Sequence, residues 1–251
     1  MGKFNKAVNL CSIIVFALYF ISMFVVPWLS GDWDHVQSVW YSWQALNVGL
    51  LAFASSVIAF NISKYNSNKQ REREFIAARS FLPHALSELT RYFESCVPAL
   101  KEAWSRAENK QDNCKSALES RRPTNPEAYK EIFSRCITHA EPEFAEYLAL
   151  ILRKLQIHQS RLESMFNQFS PQSISLASSL NIESYMYCIA ELQALINQIF
   201  KYARGDGSFN NSPLSLENYG TAYSNLNIHV EDFNDLWGFT SKIYSNKNNT
   251  K

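Results

Sequence analysis

WYSWQALNVGLLAFASSVIAFNI, residues 40–62, is the stretch whose reading decides the fold. It contains no charged side chain. Its length exceeds the ~20 helical residues that cross a hydrocarbon core of ~30 Å. SKYNSNKQREREFIAAR follows directly at 63–79 and is basic, which reads as the same helix continuing into water. A second uncharged interval lies upstream. No charged residue occurs between Lys6 and Asp32, and none between Asp34 and Lys64. The expected fold class is therefore all-α. An N-terminal two-helix transmembrane hairpin occupies residues 1–63, with spans at about 7–29 and 40–62. A basic juxtamembrane helix follows at 64–83, then a cytosolic antiparallel helical bundle at 84–245. Residues 246–251, NKNNTK, form a polar, disordered tail.

The net charge is only +1, so its layout carries the information. Lys3 and Lys6 precede the first uncharged run, and Asp32 and Asp34 separate the two. Lys64, Lys69, Arg71, Arg73 and Arg79 follow the second, against Glu72 and Glu74. Basic residues are retained on the cytoplasmic side, so both termini are expected there. From its size and simplicity, the expected location is the inner membrane of a bacterium. A cleaved signal peptide fits the first run less well. The run is too long, and VVPWLSG offers no small-x-small cleavage site. Beyond Arg79 lie 17 basic and 19 acidic residues. That balance argues against a nucleic-acid-binding domain, which shows a basic face.

Small residues recur along the second run at spacings of four and three: Ala45, Gly49, Ala52, Ser56, Ala59 and Ser63. Such a seam lets helix backbones approach closely where lipid offers no hydrophobic gain. Two readings stand side by side. The seam receives the first span of the same chain, or it makes a homo-oligomer. Gln44 and Asn47 are candidates for hydrogen bonds between helices. Trp28, Trp33, Trp40 and Trp43 crowd the outer turn, and amphipathic rings prefer the headgroup level. They are expected to form an aromatic belt, in preference to a ligand-binding cluster. Lys64, Lys69, Arg71 and Arg73 are the candidate headgroup contacts, worth ~1 kcal/mol each near an anionic surface.

The apolar positions from Phe75 to Ala103 keep helical spacing, with Pro83 and Pro98 inside the run. Proline removes a backbone bond and restricts the residue before it, which predicts a kink or break near 80–83. Residues 105–126 are polar and read as fraying helix and loop. A short helix runs from Pro126 to about Ala140. Pro142 then starts the most regular helix, at 142–169, because proline is well placed in a first turn. Its stripe includes Phe144, Leu148, Ile151, Leu155, His158, Leu162 and Met165, the pattern of a core-facing bundle helix. A further helix covers 182–204. One last helix covers about 213–245, with its aromatic face expected against the 142–169 helix.

No catalytic motif stands out. The chain has only seven glycines, with no Gly-rich phosphate loop, no G-x-S-x-G and no H-E-x-x-H. Cys136 and His139 share a helix face and could ligate zinc with Cys114 or His158. The second tight ligand pair of a structural zinc site is missing. His158 reads as a core histidine. The five cysteines are odd in number and scattered, which in a reducing compartment means free thiols. No cofactor is expected. The expected partners are the lipid bilayer, an unidentified protein and a second copy of the chain. The expected function is non-enzymatic partner binding or signal relay at the membrane. A membrane-perturbing oligomeric effector, of defence or toxin type, comes second. An enzyme with a dispersed site in the helical domain comes third.

Overall fold

A computed structural model of the chain describes residues 2–109, 116–173 and 177–249. Among the described residues every regular element is helical. The chain divides into two compact units, Met1–Asn68 and Lys69–Lys251.

The first unit begins with α1 (Gly2–Phe20), a π-turn (Ile21–Val25) and α2 (Val26–Ser30). Gly31 then extends, and α3 (Trp33–Ser42) turns back. A Cβ at position 31 would lie 2.9 Å from the Cβ of His35, so this turn needs glycine. Helix α4 (Gln44–Glu108) starts one residue beyond α3, at the irregular Trp43. The outer turn expected between the two uncharged runs is thus mostly helix. Asp32 opens α3 by accepting the N–H groups of His35 and Val36 at 3.0 and 3.2 Å. Two helical stretches are long and apolar enough to cross a membrane: Leu10–Ser30, and a window within α4.

Pro27 shapes the upper end of the first stretch. It has no N–H, so the carbonyl four residues back, on Met23, loses its α-helical donor. The helix widens there to i→i+5 pairing, with Val26 N–H bonded to Ile21 O. The Trp40 indole Nε1–H donates to Met23 O at 3.1 Å. The Trp40 ring also meets Phe24 edge-on, with centroids 4.8 Å apart.

The second unit is an up-down-up-down bundle built from α4, from Lys69 onward, α5 (Ala128–His139), α6 (Pro142–Gln168) and α7 (Ser179–Arg204). Direction follows from side-chain contacts. On α6 and α7, Tyr147 meets Gln198, Lys154 meets Glu191 and Arg161 meets Cys188, so the two run antiparallel. Thr90 and Trp104 of α4 reach Gln193 and Glu183 of α7 in the same reversed order. Phe75 of α4 meets Phe144, and Phe93 meets His158, so α4 and α6 run parallel across the core. Leu82, Leu86, Leu89, Phe93, Leu100, Phe133, Leu148 and Ile151 are fully buried there. Truncating Phe93 to alanine would cost about 3–5 kcal/mol at such a site.

Four expectations are corrected. Helix α4 does not break near residue 80; Pro83 and Pro98 both lie inside it. Ala78, Leu82, Ala85, Leu86 and Leu89 are buried on either side of Pro83, and that packing outweighs one lost bond. Glu94, whose carbonyl Pro98 leaves without a donor, is exposed along with Pro98, so water can serve it. The single last helix is instead α8 (Leu216–Asn225), a 3₁₀ turn (Val230–Asp232) and α9 (Leu236–Asn249). Asn227 takes a left-handed conformation, φ 53°, and Ile228 N–H closes back on Tyr223 O at 2.9 Å. That is the helix stop a glycine would usually make. These helices pack on α7 rather than on the 142–169 helix. Finally, α9 extends to Asn249 where a polar tail was expected, because Lys247 is bound to α7.

Candidate functional site

In the first unit, the half-buried positions of the α4 stretch are Asn47, Leu50, Ala54 and Val57. They repeat at three and four residues and form one helix face. This face meets the first stretch: the Tyr19 hydroxyl donates to Asn47 Oδ1 at 2.8 Å. An apolar groove of about 280 Å³ runs between Ser12, Ile13 and Phe16 on one side and Leu50, Phe53 and Val57 on the other. The seam of Ala45, Gly49, Ala52, Ser56 and Ala59 lies elsewhere. All five are exposed, and a Cβ built on Gly49 would meet nothing within 4 Å. At 100° per residue, the two faces point in nearly opposite directions. The seam is therefore not what holds α1 against α4.

Trp28, Trp33, Trp40 and Trp43 are all exposed. Trp28 and Trp33 stack edge-to-face at 5.8 Å. Trp40 has the additional structural task at Met23, which the aromatic-belt reading missed; the signal was Pro27, whose orphaned carbonyl needed a donor. Of the collar residues, Lys69 pairs with Glu72 at 2.8 Å and Arg71 with Glu141 at 2.6 Å. Lys64 is half-buried and Arg73 exposed. The Arg71–Glu141 pair and the His139–Glu74 contact at 3.1 Å join the α5–α6 corner to α4.

The zinc candidates are dispersed. His139 faces Glu74, while Cys136 is fully buried, with burial pushing its thiol up to about 11. His158 packs against Tyr92 and Phe93 in the core. Cys114 lies outside the described residues. No group of three or more His, Cys, Asp or Glu among the described residues could hold a metal ion. Cys11, Cys96, Cys136 and Cys188 are free thiols.

Two polar features of the bundle escaped sequence reasoning. Glu191 sits on the buried face of α7 and binds three other helices. It accepts from Lys154 of α6 at 2.7 Å, from Lys247 of α9 at 2.6 Å and from Tyr219 of α8 at 3.5 Å. Burial alone would raise its pKa, but the two lysines overcome that and hold it below the usual carboxylate value. The other feature is a cleft between α4 and α7. Ser87, Thr90, Arg91 and Glu94 line one wall, and Gln193, Asn197 and Phe200 the other. The spacing of Glu191 reads as an ordinary solvated face, whereas Gln193 lies on the apolar stripe of α7, four residues after Ile189 and three before Ile196, which was the available signal. Both appear only when the helices are brought together.

His158 is 1% exposed, and its Nε2 has no hydrogen-bond partner. Burial, with help from Arg161, brings its pKa down to about 4, so the ring is neutral near pH 7. With Tyr92 and Phe93 edge-on against its ring, His158 is a core histidine. No protein-family model, no curated protein and no solved structure matches this chain.

Proposed function

We propose that the protein is a membrane-anchored, non-enzymatic helical module that binds a protein partner or relays a signal at the cytoplasmic face of the inner membrane. In this reading the first unit is a two-span hairpin. The Leu10–Ser30 stretch and the first part of α4 lie in lipid, with both termini in the cytoplasm. One observation carries the reading. None of the apolar window of α4 is buried, and only 11% of the Leu10–Ser30 window is. The core helix of a soluble protein would be mostly covered. Here Leu46, Val48, Leu51, Phe53, Ile58 and Phe60 all face outward, which water would oppose and a bilayer accepts.

Carbonate-washed membranes and a reporter fused behind Lys251 test the reading. Retention in the pellet with a cytoplasmic reporter is the expected result. A full-length chain that stays soluble without detergent would overturn it.

The exposed seam favours a second reading, an oligomeric effector that perturbs the membrane. Leucine at Gly49 and Ala52 should weaken association between copies, because close approach needs small residues. Induced expression with membrane potential followed by a dye separates the two readings. Depolarisation that the leucine variants abolish supports the effector; unchanged potential and growth exclude it.

A further inference from the structure

Lys247, in the last turn of α9, reaches back into the bundle and ends in a seat built by α7. Its ammonium donates to Glu191 Oε1 at 2.6 Å and to the Tyr187 hydroxyl at 2.8 Å, and lies 5.2 Å from the centroid of the Tyr187 ring. A carboxylate oxygen, a phenol oxygen and an aromatic face thus converge on one cation, and each of these attracts an ammonium group. Glu191 and Tyr187 are buried, as is Tyr219, whose hydroxyl stands 3.1 Å from that of Tyr187. The seat is therefore fixed by the core, whereas the Lys247 side chain that fills it is 48% exposed.

Each group that Lys247 touches keeps a second partner. Glu191 has Lys154 on its other oxygen at 2.7 Å, and Tyr187 has Tyr219. Losing a partner from a buried ion pair is costly when it leaves a charge uncompensated. Departure of Lys247 leaves none, because Lys154 remains. The two ends of α9 differ in the same sense. At its start, Leu236 and Thr240 are fully buried, and the Thr240 and Tyr223 hydroxyls share a hydrogen bond at 2.8 Å. In its last turn Ser245, Asn246 and Lys247 are exposed. The end of α9 can lift while its start stays docked, the kind of local opening that weakly buried helix ends undergo.

We infer that this seat is a receptor for a primary ammonium group, that Lys247 fills it as an internal stopper, and that a lysine of a protein partner takes its place. The occupant already present shows which chemistry the seat accepts. An arginine fork would ask for both carboxylate oxygens, and Lys154 holds one of them. An ammonium needs only point contacts for its three donors. A protein partner also brings contacts beyond the lysine itself, which competition with a tethered lysine requires. The assignment to a protein rests on the proposed relay; the seat does not.

Two measurements on the full chain in mild detergent test the inference. K247A empties the seat by trimming an exposed side chain, and propylammonium replaces the atoms removed. At about five times its Kd, propylammonium chloride should raise the K247A midpoint by about 2–4 °C over sodium chloride of equal ionic strength. Tetramethylammonium, which has no donor, should not, and adding Y187F should weaken the rescue. Hydrogen exchange over residues 241–249 of the parent reads displacement. A tetralysine peptide should speed it severalfold, and the same peptide with its amines acetylated should not. An unrescued K247A overturns the seat, as does equal rescue by tetramethylammonium or a rescue that Y187F leaves intact. Exchange unmoved by tetralysine overturns the stopper, and spermidine acting as strongly as tetralysine overturns the assignment to a protein. A chain that stays soluble without detergent would defeat the proposed relay and leave both measurements standing.

Discussion

Replacing Glu191 with glutamine keeps the shape of the side chain and removes its charge. The glutamate side chain is only 10% exposed, whereas Lys154 and Lys247 are 28% and 48% exposed. Breaking a fully buried pair costs about 3–5 kcal/mol, mainly because a charge is stranded without water. Here neither lysine is fully stranded. Lys247 can swing into solvent, and its share is discounted for screening. The expected cost of Glu191→Gln is therefore about 2–3 kcal/mol, with most of it coupled to Lys154. Denaturant unfolding of the detergent-solubilised chain, with K154M and K247M in double-mutant cycles, measures both couplings. The Lys154 coupling should exceed the Lys247 coupling by about twofold, following the exposures. The pH dependence gives an independent check. Because the folded pKa of Glu191 lies below its unfolded value, its contribution is present above about pH 4.3 and is lost as pH falls through the folded value. Glu191→Gln should lack that loss. A variant within about 0.5 kcal/mol of the parent, or couplings near zero, would refute the account of Glu191 as the junction of α6, α7, α8 and α9.

Other expectations concern separate parts of the molecule. Trp40→Phe should loosen the first unit by about 1–2 kcal/mol, because Met23 O loses its donor. Pro27→Ala should rescue that variant by restoring the i−4 hydrogen bond, and a failure to rescue in a double-mutant cycle would dismiss the Trp40–Met23 link. Tyr19→Phe should cost about 0.6 kcal/mol in the same assay, with no further loss in an Asn47→Ala background. His158→Leu should hold or raise stability at pH 7, since it removes an unpartnered buried nitrogen. The parent should lose roughly 3 kcal/mol between pH 6.5 and about 4, the interval between the unfolded and folded values of a histidine buried neutral. Acid unfolding curves of parent and variant that run parallel through that interval would contradict it.

Helix positions in the bundle were largely legible in the sequence, for identifiable reasons. Pro142 and the unbroken stripe from Phe144 to Met165 marked α6 at both ends, within a residue. Gly205, at φ 87°, ended α7 where expected. The long α4 was legible in composition but not in continuity. Proline rules are local, whereas the packing of Leu82 through Leu89 is not. The division between α8 and α9 was hidden for the opposite reason. Its stop is an asparagine in a left-handed conformation, and Asn227 looks like any polar surface residue in the sequence. The same logic covers Glu191, which lies off the apolar stripe of α7 at a spacing that suits a solvated face; only the approach of α6, α8 and α9 makes it interior. Gln193 differs: four residues after Ile189 and three before Ile196, it shares the apolar stripe, and its burial was legible in that spacing.

The seam on α4 turns its back on the face that carries Asn47, Leu50, Ala54 and Val57, and this limits how copies can join. A single self-complementary stripe is used up when two chains meet across a twofold axis, so it closes at a pair. Building a ring that encloses an aqueous path takes two different patches, each fitting the other. Among the described residues of this unit, the furrow between Phe16 and Phe53 offers such a second patch, and it presents a wall of greasy side chains. An assembly made through the seam alone would tether bundles in twos and leave the bilayer sealed.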